Sequence, residues 1–167
     1  MATCVSCDAD LAALIGHGAA CVKVGRRSKK PLGMAWQNTA STSPEVVAAW
    51  LESGYNVGIL LGHGGLIDVE FDDAAGKRLA KQMRLPAMTP TWASHRGEHR
   101  LFRLVDAIPP CGWVKHDTLE VRLGGKPAQS VLPPSHHPDG GFYRWLISPQ
   151  ECEPAPITLA QLWLEVE

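Results

Sequence analysis

The stretch Leu66 to Asp73, LIDVEFDD, constrains this chain more than any other. It begins apolar and then places Asp68, Glu70, Asp72 and Asp73 within six residues. In an extended strand, Leu66, Asp68 and Glu70 share one face, and Ile67, Val69 and Phe71 share the other. Packing the apolar face on a core leaves Asp68 and Glu70 side by side, with Cβ atoms about 7 Å apart. Two such carboxylates repel unless a cation sits between them, and hard divalent ions take all-oxygen ligands. The strand is a candidate platform for two metal ions. The same letters also suit a strand end with solvated acids. Asp72 and Asp73 read as a strand end and a helix cap rather than as ligands.

The chain's 167 residues suit one domain, 1–167, with one substantial core. No apolar run approaches the ~18 residues of a membrane span, and no basic-then-apolar leader opens the chain. The expected compartment is the cytoplasm, with no membrane partner. Five cysteines, an odd number without regular spacing, argue against a disulfide framework. Cys4 and Cys7 form a C-x-x-C, but no second pair follows to complete a zinc site.

The net charge of −1 conceals segregation. Residues 1–40 hold five basic and two acidic side chains, 41–75 hold six acids and no Lys or Arg, and 76–103 hold seven basic residues and one acid. A nucleic-acid binder of this composition must concentrate its positive charge locally. A charge-compensated surface fits equally. Arg26, Arg27, Lys29 and Lys30 form a basic loop that is either solvated or able to hold phosphates.

Periodicity and punctuation order the rest. A short helix through Leu11, Leu14 and Ile15, capped by Asp8 or Asp10, precedes a strand over 19–24. Ser43 and Pro44 open a helix with Val46, Val47, Trp50 and Leu51 as its apolar stripe. The strand 56–61 turns at Gly62 to Gly65 into the acidic strand as a tight hairpin. Asp73 caps a helix over 74–84. A second hairpin joins 91–94 to 98–104, on which His99, Leu101 and Arg103 share a face. Pro109 to Trp113 reads as a loop. Strands follow over 118–123, 128–132 and 142–145, and Thr158 caps a last helix within 146–167. The expected class is α+β (α/β), a mostly antiparallel or mixed sheet flanked by helices.

This succession resembles the amino-terminal catalytic domain of bifunctional DNA primase–polymerases, in the archaeo-eukaryotic primase superfamily. The resemblance is clearest over 19–145. Lys30-Pro31-Leu32-Gly33 with Trp36 and Asn56-Val57-Gly58-Ile59 look like its opening segments. Asp68-Val69-Glu70 resembles its first acidic motif, Gly97-Glu98-His99 its histidine motif, and Glu120 its single acid on a strand. Pro133-Pro134-Ser135-His136-His137-Pro138-Asp139-Gly140-Gly141, with Tyr143 and Trp145, is similar to its P-P-S-x-H-P-D-G signature. These motifs keep the family's order and similar spacing. Glu98 departs from the pattern, which often has a second glycine there, but by alternation it faces away from His99.

The resemblance implies a primase-like core and a DNA primase/DNA polymerase in DNA replication, a nucleotidyltransferase with two Mg²⁺ or Mn²⁺ ions. Its metal ligands would be Asp68, Glu70 and Glu120, with His99 catalytic and on the incoming triphosphate. Lys30, His99, Arg103, Arg122, Ser135 and His137 would bind nucleotide or DNA. Arg122 and Glu120 also suit a structural pair, and His136 and His137 also suit a merely proline-stiffened loop. Implied partners are NTP or dNTP and a single-stranded or primed DNA template. With no Walker motif in the sequence, the chain reads either as a catalytic fragment whose helicase or helical priming domain lies elsewhere or as a small stand-alone member. Two rivals stay open. One is a metal-dependent nuclease or phosphodiesterase built on the same acids. The other is a catalytically inactive module that binds nucleic acid or nucleotide. A relaxase-type site would want alternating histidines, and His136 and His137 are adjacent.

Overall fold

The structure, a computed structural model, describes residues 5–164. Its acidic strand, β3 (Leu66–Phe71), lies in the interior of the larger of two sheets. β3 pairs antiparallel on one side with β5 (Glu98–Leu104) and on the other with β7 (Leu119–Arg122). Outside β7 runs β6 (Trp113–His116), and outside β5 run β4 (Thr91–Ala93) and β9 (Arg144–Ile147). The free edge of β5 beyond β4 takes β10 (Ala155–Ile157), the parallel neighbour in this otherwise antiparallel sheet. The smaller sheet has the order β1 (Cys21–Val24), β2 (Asn56–Leu60), β8 (Gln129–Val131). With α1 (Val5–Gly16), α2 (Pro44–Glu52) and α3 (Ala74–Gln82), the class is α+β.

Alternation along β3 divides the molecule into two cores. Ile67, Val69 and Phe71 point to one face, where they pack with Val121, Phe102, Ile157 and, from α3, Ala80. Leu66 points to the other, joining Leu101 and Trp92 against α1, α2 and the small sheet through Leu14, Val47, Val57 and Ile59. Asp68 and Glu70 therefore face the gap between the two sheets. α3 follows from its cap, since Asp73 accepts from the Gly76 N–H at 2.9 Å. Ser43 caps α2 in the same way, with Pro44 at its first position.

Several elements differ from expectation. Gly62 to Gly65 does not close a hairpin. Gly62, Gly64 and Gly65 all have positive φ (86°, 65°, 74°) and turn the chain out of the small sheet into the large one. Trp113 to His116, read partly as a loop, pairs with β7 around Asp117, whose φ is 52°. The segment 158–163 is one 3-10 turn, Ala160–Leu162, rather than a helix. Trp163 at φ 56° ends it, while Thr158 accepts from the Gln161 N–H and Asp106 from that of Leu159. Asp8 and Asp10 fall inside α1 instead of capping it, and Cys4 lies outside the described residues. Among the described residues no helix is long and apolar enough to cross a membrane.

Candidate active site

Strand register assembles the site. Asp68 lies opposite Leu101 of β5 and Arg122 of β7, and Glu70 lies opposite His99 and Glu120. Directly opposed residues project to the same face, so two acids of β3, one of β7, a histidine and an arginine converge. From the other sheet, Ser130 of β8 donates its hydroxyl to Asp68 Oδ2 at 2.5 Å. His99 Nδ1 stands 2.7 Å from the same oxygen, and its Nε2 lies 3.7 Å from Glu70 Oε1. The imidazole is fixed from a third side by Trp92, stacked flat on it with ring centroids 4.8 Å apart.

Arg122 is the hub. Its guanidinium reaches Glu70 Oε2 at 2.6 Å, Glu120 Oε1 at 2.9 Å and Asp68 Oδ2 at 3.5 Å, and donates to the Ser130 hydroxyl at 3.1 Å. One delocalised cation thereby neutralises carboxylates from two strands. Burial pushes the Asp68 carboxyl up, but His99, Arg122 and the Ser130 hydroxyl outweigh it and hold Asp68 below the ordinary range. For Glu70 burial prevails over His99 and Arg122, aided by repulsion from Asp68 and Asp72, and its carboxyl is raised. Burial lowers the His99 imidazole, yet the carboxylates of Asp68 and Glu70 more than reverse that, so it keeps its proton more firmly than a free histidine.

The group opens into a cleft of about 240 Å³ lined by Lys29, Glu70, Ser94, His99, Arg122 and Tyr143, with β8 along one wall. Of the residues expected from sequence, Asp68, Glu70, His99, Glu120 and Arg122 come together. The others lie elsewhere. Arg103 shares the His99 face but donates to the Gly64 and His17 carbonyls, which ties the sheet-switching turn to the end of α1. Lys30 is exposed outside the cleft, and its neighbour Lys29 lines it instead. The Ser135 hydroxyl accepts from the Val57 N–H at 3.0 Å and donates to the Val57 carbonyl, anchoring the proline loop to β2. His137 is buried within that loop, stacked on His95 and tilted against Tyr143. Glu98 points away, toward Lys77 of α3 at 3.8 Å. Sequence reasoning missed Ser130, Trp92 and Lys29 as site residues. The basic loop pointed to Lys29's neighbourhood, whereas nothing in a short strand 62 residues from Asp68 singles out Ser130.

The donor set fits a hard cation. Among the described residues, one cluster places at least three ligand atoms within 4.8 Å of one another, those of Asp68, Glu70 and His99. Asp68 Oδ1 is buried without a hydrogen-bond partner, which is costly for a carboxylate oxygen that no cation satisfies. Glu120 lies outside this cluster, across the ladder from Glu70.

Comparison with curated proteins finds no match. A family model, described as bifunctional DNA primase/polymerase, N-terminal, matches residues 11–158. That match takes in both sheets and every side chain of the cleft, so the chain belongs to the bifunctional DNA primase/polymerase N-terminal family.

Proposed function

We propose that this domain extends a nucleic-acid 3′ end with nucleotides from NTP or dNTP, directed by a single-stranded or primed DNA template. The observation that carries the reading is Asp68, buried with its Oδ1 lacking a hydrogen-bond partner, clustered with Glu70 and His99. In the reaction, the primer 3′-hydroxyl oxygen attacks the α-phosphorus, its proton is lost, and the bond to the β-phosphate breaks to release pyrophosphate. Mg²⁺ or Mn²⁺ would lower the pKa of that hydroxyl and stabilise the leaving pyrophosphate. Asp68 and Glu70 would hold the ions, with Glu120 as a third carboxylate. His99 holds Asp68 in one orientation. Lys29 supplies positive charge along the cleft for the triphosphate, while Arg122 and His99, paired with the acids, lower the negative charge it meets.

The test is extension of a labelled primer on a single-stranded template with nucleotides and Mg²⁺ or Mn²⁺. The parent chain should lengthen the primer, and Asp68→Asn and Glu70→Gln should not. A primer shortened by the parent and spared by both variants would assign the acids to phosphodiester hydrolysis. Binding of nucleotide without any change in length would leave a binding module.

A further inference from the structure

One large apolar side chain stands on the active-site face with no core to cover. β6 is the outer strand of the seven-stranded sheet, and its Trp113 is 61% exposed. Trp113 lies opposite Arg122, and Lys115 lies opposite Glu120. Both therefore project on the face that carries Asp68, Glu70 and His99. Val114, between them, turns the other way and packs on the second core. A row thus crosses the sheet from Asp68 through Arg122 to Trp113. At about 4.8 Å per strand, the backbone of Trp113 runs about 10 Å from that of the acidic strand.

Isolated exposed tryptophans are ordinary. This one has lysines near it. Lys115 is exposed two residues on and shares its face. Lys126 adjoins Gly112, the residue before Trp113, where a methyl group would lie 3.6 Å from Lys126 Cβ. Lys126 also borders an open cleft of about 560 Å³ with Gln37, His63 and Pro110. The nearest acid in the row, Glu120, is already paired with Arg122. An exposed aromatic ring with lysines in its neighbourhood offers the chemistry that holds single-stranded nucleic acid, since every base has a π-face and every link a phosphate.

We propose that Trp113, with Lys115 and Lys126, is a stacking platform for an unpaired base of the single strand leading into the cleft. The inference rests on the nucleotidyl-transfer reading, which supplies the strand. The experiment is fluorescence anisotropy of labelled oligothymidine with the full chain, beside primer extension and dNTP binding. Trp113→Ala should weaken oligothymidine binding about 10-fold or more, and Trp113→Phe should recover most of it. Binding of dNTP and of a blunt duplex should not change. The Lys115→Ala/Lys126→Ala variant should lower the slope of log affinity against log salt by about 1.4, two phosphate contacts on a single strand. Unchanged oligothymidine affinity in Trp113→Ala, with a parent that binds it and extends primers, would overturn the platform and leave the reaction standing. A parent that does neither would take both down. A parent dimer lost in Trp113→Ala, with oligothymidine binding unchanged, would make this edge a self-association surface and also overturn the proposal.

Discussion

Asp68 is held by one oxygen and bare on the other. Oδ2 receives Ser130, His99 and the edge of Arg122, while Oδ1 has no partner. Truncating this side chain to Ala would strand His99 and Arg122 near a buried gap, and removing one member of such a buried charge group costs about 3–5 kcal/mol. Alanine at 68 therefore confounds stability with chemistry, and Asn, which keeps the shape, is the informative change. At a Mg²⁺ or Mn²⁺ concentration about 100 times the Kd, the parent should gain about 2.7 kcal/mol. For a chain of this size that is a rise in Tm of roughly 5–10 °C. Thermal unfolding with and without the ion should show the rise in the parent and little of it in Asp68→Asn. Equal shifts in both would place the cation elsewhere.

Among the elements, β2 does most to shape the cleft, although none of its side chains lines it. Asn56 is clamped to the proline loop, its amide donating to the His136 carbonyl and accepting from the His136 N–H at 2.9 Å. Two residues on, Gly58 makes room for β8. A Cβ there would sit 2.1 Å from Gln129 Oε1 and 3.1 Å from the Ser130 carbonyl oxygen. Gln129 can swing aside, but the Ser130 backbone must shift, and it carries the hydroxyl that orients Asp68. Gly58→Ala should cost about 1–3 kcal/mol in denaturant unfolding, the usual range for overpacking. It should also weaken nucleotide binding, and Gly58→Ala/Gln129→Ala should recover part of the stability. A Gly58→Ala protein as stable as the parent would mean that β8 slides freely over β2.

Across the whole molecule, two sheets enclose the site, tied by Ser130 to Asp68 and Arg122 and by the Trp92 indole N–H donating to the Val131 carbonyl at 3.0 Å. The first core beneath them buries Cys21 completely, and that burial pushes its thiol up to about 12. Unfolding returns the thiol to its ordinary value of 9.0. A folded pKa raised above the unfolded one gives stability that is complete below pH 9 and lost as pH rises toward 12. Between pH 8 and 10.5 this amounts to about 2 kcal/mol from Cys21. Denaturant midpoints measured under reducing conditions should fall over that interval, and Cys21→Ala should flatten the fall. A parent midpoint that is constant with pH would mean the thiol is solvated in the native state.

Local patterns in the chain were enough for α2, α3, the acidic strand and its two faces, because caps and alternation act over a few neighbouring residues. Alternation put Asp68 with Glu70 and Glu120 with Arg122 on shared faces, while the resemblance to the family's motifs is what picked out His99 and Glu120 as site residues. The two-sheet architecture was not legible. Gly62 to Gly65 suits a hairpin as well as a sheet switch, and only the partners available to β2 and β3 choose between them. The same holds for Arg103, whose alternation with His99 is correct but whose guanidinium is taken by the end of α1. Ser130, Trp92 and Lys29 come to the cleft from distant positions. The acids, the face they share and the chain's family follow from residue type and short spacing, which a linear string of letters already carries. Which cation balances the acids, which oxygen of Asp68 stays bare and what walls the cleft depend on how two sheets pack across a gap, and no local pattern encodes that.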